Sequence, residues 1–168
     1  MTAVDEGLVR VWVQAGSDFT YEVDAAGGYH IGGPERPLAF EADGAVMIWG
    51  PERFDRQAGA GDTPEGRWIE QGSGAEWVFA ADGTYEAALD GVSDLGIWAL
   101  RQGGAVLWAR EWRAQLATNG AEVVFDIRNG GSVTYGYTVG GGTWTLFDPV
   151  TWAELVRYTD PAALPREA

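Results

Sequence analysis

The chain has 168 residues, enough for one full domain with a sizeable core, and it carries 25 acidic against 11 basic residues for a formal net charge of −14. That field repels phosphate backbones and anionic headgroups, so the sequence excludes nucleic acid and membrane as partners of its surface as a whole. Every basic residue is arginine, cysteine is absent and His30 is the single histidine. These gaps remove Schiff-base lysine chemistry, disulfides, thiolate catalysis and multi-histidine or cysteine-bound metal sites within one chain.

The opening MTAVDEGLVRVWVQ has acids where a secretory leader has positive charge, and no stretch approaches the ~20 apolar residues that span a bilayer. A cytoplasmic protein is expected. Leu8 to Gln14 alternates and reads as a first strand, followed by one with Phe19, Tyr21 and Val23 on a shared face. The turn at 25–28 leads into Tyr29-His30-Ile31. The GGPERP segment at 32–37 breaks regular structure, because its prolines lack ladder donors. Leu38 to Ala42 and Val46 to Trp49 form a hairpin around Asp43-Gly44, and 55–65 is a long connecting loop.

The middle of the chain, 66–112, is the clearest unit. Ala75, Trp77 and Phe79 share a face, Asp82-Gly83 supplies a tight hairpin turn, Tyr85, Ala87 and Leu89 follow, and Gly103-Gly104 turns Ile97 to Leu100 into Val106 to Trp112. Further strands are predicted at 121–127, 132–139 and 143–147. For Thr151 to Thr159 a last strand is preferred over a helix. The chain repeats itself. Trp12, Gly16, Ser17, Tyr21 and Tyr29 recur at one constant spacing as Trp68, Gly72, Ser73, Trp77 and Tyr85, and Gly44-Ala45-Val46 recurs as Gly104-Ala105-Val106. Segments 121–133 and 142–152 read as a third, degenerate copy. Such repeats are supersecondary units that bury a core by packing side by side.

The expectation is an all-β protein: a single antiparallel β-barrel over 1–160 with about nine to eleven short strands in repeated hairpins, a β-sandwich as the alternative, and a mobile tail over 161–168. Gly66-x-Trp68, Phe79-x-x-Asp82-Gly83-Thr84-Tyr85 and Gly96-x-Trp98 resemble a bacterial lipocalin-like, calycin-type domain, with weaker echoes at Gly142-x-Trp144 and 155–159. The resemblance implies a barrel whose apolar cup holds a small hydrophobic molecule, and it supplies no catalytic residues.

Nine Trp and six Tyr either line such a cup or simply fill the core. Alternation nominates Trp77, Tyr85, Trp108 and Trp112 as ligand-binding residues. Arg110 shares a strand face with Val106, Trp108 and Trp112, and an inward Arg needs a carboxylate, an anionic ligand or an aromatic face to lie across. Glu76 and Glu86 are the candidate carboxylates. Arg10 beside Trp12 poses the same question. His30, with Tyr29 or Glu22 in support, is the candidate general base, against the plainer reading of an exposed histidine at a strand end. Asp43, Asp82, Asp90 and Asp94 are expected in turns without calcium-loop spacing, so no metal and no cofactor is expected. Three functions compete: a small-molecule binding protein for an apolar or aromatic metabolite, a cofactor-independent cyclase, isomerase or decarboxylase using the same cup, and an acidic module that caps a basic protein partner.

Overall fold

A computed structural model describes residues 4–17 and 19–161, with Gly33 and Pro34 described by their backbone alone. The tail expected at 161–168 lies, beyond Pro161, outside the described residues. All regular structure longer than one turn is β: fourteen strands among the described residues, hydrogen-bonded antiparallel throughout. They are β1 (Val11–Gln14), β2 (Thr20–Val23), β3 (Gly28–Glu41), β4 (Val46–Trp49), β5 (Glu52–Ala58), β6 (Gly66–Glu70) and β7 (Glu76–Phe79). The series continues with β8 (Thr84–Leu89), β9 (Val92–Arg101), β10 (Val106–Thr118), β11 (Glu122–Ile127), β12 (Ser132–Gly140), β13 (Thr143–Phe147) and β14 (Glu154–Thr159).

The chain separates into two compact units, Met1–Gly32 with Trp112–Ala168 (unit 1) and Gly33–Glu111 (unit 2), within the stretch expected as one domain. In unit 1, β2 pairs with β1, β1 with β14, and the ladder runs on through β13, β12 and β11 to the second half of β10. Leu116 N–H donates to the Gly27 carbonyl at 2.7 Å, joining that half of β10 to the approach of β3. In unit 2 the ladder runs from the second half of β3 through β4 to β9 and the first half of β10. There Leu38 N–H donates to the Ala105 carbonyl at 2.8 Å.

Three local expectations need correction. The 32–37 segment is not a break: β3 runs for 14 residues straight through it. It falls between the register with β2, which ends at Ile31, and the register with β4, which begins at Leu38, so the missing proline donors cost no bond in either ladder. The loop expected at 55–65 starts later, because β5 continues to Ala58 and pairs with β6 through an irregularity at Arg56/Ala58. Leu8 belongs to a 3-10 turn before β1, stabilised by the Asp5 side chain accepting from Gly7 N–H at 2.9 Å. With fourteen strands, two of them 14 and 13 residues long, the sheet exceeds the nine to eleven short strands expected. From sequence β3 divides in two, at 29–31 and 38–42, and β10 ends at Trp112, six residues short.

Each unit buries its own aromatic core. Unit 1 packs Trp12, Tyr21, Tyr29, Phe125, Trp144 and Tyr158 together with Leu8, Val23 and Leu116. Unit 2 packs Trp49, Phe54, Trp68, Phe79 and Tyr85 with Met47 and Leu107. At about 2–3 kcal/mol per fully buried large side chain, these rings dominate the apolar contribution to folding. The repeat noted in the sequence is visible as geometry. The turn at Ala42-Asp43-Gly44 has φ of 53, 57 and 86°, and its counterpart at Gln102-Gly103-Gly104 has 53, 71 and 91°.

Candidate functional site

Unit 2 opens a groove of about 380 Å³ lined by Glu70, Ser73, Ala75, Trp77, Ala87 and Asp94 among others. Register explains why these residues meet. Trp77 on β7 faces Ala87 on β8, and Ala87 faces Asp94 on β9, so the three form one transverse row on one face of the sheet. Trp77 is also opposite Trp68, a fully buried core residue, which identifies that face as the one packed on the core. Glu70 lies two residues after Trp68 and opposite the buried Phe54, so it is on the same face. Asp94 was expected in a turn. Instead β9 begins at Val92, and Asp94 sits inside the ladder.

Trp77 is held edge-on to Trp49 and Phe54 and stacked on Tyr85 with ring centroids 5.4 Å apart. Its Nε1 is buried and has no hydrogen-bond partner among the described residues. The equivalent position in the repeat is Tyr21 of unit 1, where the hydroxyl donates to Gln14 Oε1 at 2.7 Å. Gln14 is itself the repeat mate of Glu70. Glu70 accepts a hydrogen bond from the Ser73 hydroxyl, and Trp77 is left without an acceptor. Of the residues nominated from sequence, Trp77 lines this groove and Tyr85 forms the stacked layer against it. Glu70 and Asp94 were missed as site residues, although alternation from Trp68 places Glu70 on the core face.

The other nominated residues lie elsewhere. Trp108 and Arg110 are buried, but the core cluster of unit 2 takes Leu107 and Ala109 from β10, so the face expected to point into the core is the opposite one. Arg110 is 4% exposed, its guanidinium lies over the Trp108 ring at 4.7 Å and it donates to the Ala109 carbonyl at 3.2 Å. Arg101 covers the same ring at 4.5 Å. Glu76, a suggested partner of Arg110, is engaged by Arg67 at 2.8 Å. In unit 1, Trp112 lines a separate surface groove with Gln115, Asp126 and Arg128, whose guanidinium lies 5.7 Å from its ring. Trp12 is fully buried, with Arg10 over it at 5.5 Å and paired to Asp160 at 2.8 Å.

His30 is 4% exposed, contrary to the plainer reading of an exposed strand end. Its partner is Asp24, with Nε2 at 2.9 Å from Oδ2, while Oδ1 accepts from the backbone N–H of Ala26 and Gly28. Burial works against ionisation of Asp24, and the bonds from His30, Gly28 and Ala26 outweigh it, holding the carboxyl below its ordinary range. An ionised carboxylate only accepts, so Nε2 donates to it, while Nδ1 is buried and without a partner among the described residues. Gly28 makes the pair possible: a Cβ there would stand 2.5 Å from Asp24 Oδ2 and 2.9 Å from His30 Nε2. Tyr29 points the other way, into the core of unit 1, with its hydroxyl 3.1 Å from that of Tyr158. Burial, followed by the neighbouring Tyr158, raises the Tyr29 pKa, and burial pushes Tyr158 up to about 12. Histidine with an orienting carboxylate has the parts of a base, and here it closes the Asp24–Gly28 turn.

No group of three or more His, Cys, Asp or Glu positioned to hold a metal ion occurs among the described residues. No helix there is long and apolar enough to cross a membrane. No family model, no curated protein and no solved structure matches the chain.

Proposed function

We propose that the chain is a small-molecule binding protein of lipocalin-like barrel architecture, and that its ligand, an apolar or aromatic molecule, occupies the Trp77 groove. The barrel reading draws support from the way each unit's ladder is joined at both ends, through Leu116 to Gly27 and through Leu38 to Ala105. The observation that carries the binding reading is the Trp77 indole N–H, buried and unpartnered beside a groove of about 380 Å³. A buried donor left unsatisfied costs about 1–3 kcal/mol, which an acceptor on a bound molecule recovers. Trp77 gives such a molecule a flat aromatic wall, held rigid by the rings of Phe79 and Tyr85 stacked against it.

The test uses the neutral fluorophore N-phenyl-1-naphthylamine. Saturable one-site enhancement is expected for the wild type, and it is lost in Ala87→Phe, which fills the groove. Circular dichroism checks that the variant keeps its fold. Absence of saturable binding to the wild type, or undiminished binding to a folded Ala87→Phe, overturns the reading.

A further inference from the structure

From the charges in the groove we infer that its ligand is an organic cation, an ammonium group carried on an apolar or aromatic body. The inference rests on the binding reading above and adds the sign of the ligand's charge. The charged side chains lining the groove are Glu70 and Asp94, and both are acidic. Both stand on the sheet face that packs on the core, where a charge is tolerated only when something balances it or water reaches it. Glu70 has only the Ser73 hydroxyl. The Asp94 side chain, exposed to solvent, makes no hydrogen bond or ion pair with any described residue.

Nearby arginines do not serve these carboxylates. Arg67 precedes Trp68 and therefore points to the opposite face of β6, where it holds Glu76 at 2.8 Å. Arg53, adjacent to the core residue Phe54, points outward in the same way and holds Glu41 at 2.7 Å. The anion-seeking arginine expected at the site, Arg110, lies across Trp108. What remains is a groove with a carboxylate at each side and the Trp77 ring between them. An ammonium meets the carboxylates by charge-assisted hydrogen bonds and is attracted to the electron-rich Trp77 ring, while the Trp77 N–H donates to the π face of the ligand's aromatic body. The chain's net charge of −14 draws cations toward it and repels anions.

The test is a set of three 3-alkylindoles titrated calorimetrically: tryptamine, neutral 3-ethylindole and anionic indole-3-propionate. Tryptamine is expected to bind at least about tenfold more tightly than 3-ethylindole, with indole-3-propionate the weakest. In Glu70→Gln/Asp94→Asn the preference for tryptamine over 3-ethylindole is expected to fall to within about twofold. Raising the salt concentration narrows the same preference in the wild type. Equal binding of tryptamine and 3-ethylindole, tighter binding of indole-3-propionate, or a preference that survives in the double variant overturns the cation assignment. In each of those outcomes binding of the neutral fluorophore still supports the groove. Failure of the fluorophore and all three indoles to bind overturns both.

Discussion

Trp12 in unit 1 and Trp68 in unit 2 are treated alike. Each is fully buried and donates its indole N–H to the carbonyl four residues earlier, Leu8 at 2.9 Å and Pro64 at 2.7 Å. Each also lies under a guanidinium, Arg10 at 5.5 Å and Arg56 at 4.3 Å. Beyond this shared anchor the units diverge. Unit 1 holds five of the six tyrosines and ties four of their hydroxyls to partners within itself, Tyr21 to Gln14, Tyr29 to Tyr158 and Tyr137 to Asp5. Unit 2 uses Trp and Phe, and at the position of Tyr21 it sets Trp77, whose donor stays unused beside an open groove. The repeat thus keeps what anchors the sheet and varies what lies at its open end. At this one position unit 1 gives its donor an acceptor, and unit 2 leaves it open.

The comparison breaks first at the anchors. Trp12→Ala and Trp68→Ala are each expected to cost about 3–5 kcal/mol in chemical denaturation, through lost burial and the cavity left behind. A cost below about 1 kcal/mol at either position would show that the two tryptophans are not equivalent. Next in size is the Asp24–His30 pair, which unit 2 lacks because Ala80 and Glu86 stand at the corresponding places. Gly28→Ala, which crowds both partners, and Asp24→Ala, which strands the buried imidazole and two backbone donors, are each expected to cost about 1–3 kcal/mol.

Asp24 also gives unit 1 an acid limb. Its carboxyl is held lower in the folded state than in the unfolded chain, so its contribution is complete above about pH 4 and is lost as pH falls through the folded value. Tyr158 gives an alkaline limb. Its pKa is pushed up to about 12, so its contribution is complete below about pH 10 and is lost as pH rises toward 12. Hydrogen exchange compared over 11–32 with 112–159 and over 38–111 is expected to show unit 1 loosening first at both extremes. Simultaneous loosening of unit 2 would assign the limbs to other groups. Asp24→Asn is expected to flatten the acid limb alone.

Smaller effects belong to the open end. Tyr21→Phe leaves Gln14 without its donor and is expected to cost about 0.5–1.5 kcal/mol. Trp77→Phe removes a donor that nothing accepts from, and its cost is expected to be the smaller of the two once the lost ring area is allowed for. Asp94→Asn, exposed and unpaired, is expected to change stability by under about 0.5 kcal/mol. Reversal of this order would mean that the groove is held by its own side chains.

The all-β class, most turns and the repeat were legible because their signals are local: alternation over four to six residues, Asp82-Gly83, Gly103-Gly104, and tryptophans at one spacing. The extent of β3 was not, since Gly32-Gly33-Pro34 carries the residues of a break where the strand changes partners. The core face of β10 was also hidden, because Ala109 is smaller than its neighbours Trp108 and Arg110 and yet is the residue packed inward. Asp24 escaped notice as the partner of His30 because the turn that joins them depends on the missing side chain at Gly28. Trp77 was found by its face, whereas the importance of Glu70 and Asp94 emerged only when cross-strand register put them beside it.

Unit 2 is a single uninterrupted run, while unit 1 is written in two pieces with that run between them. During synthesis β1 and β2 therefore emerge well before β14, the strand that pairs with β1. At ribosomal rates of about 5–20 residues per second, roughly ten seconds separate them. Through that interval Trp12, Tyr21, Val23 and Tyr29 wait for the C-terminal part of their core, whereas unit 2 has every strand it needs once Glu111 has emerged. A nascent chain halted after Thr118 would carry a finished groove on an unfinished neighbour, held from sticking to other chains chiefly by its acidic charge.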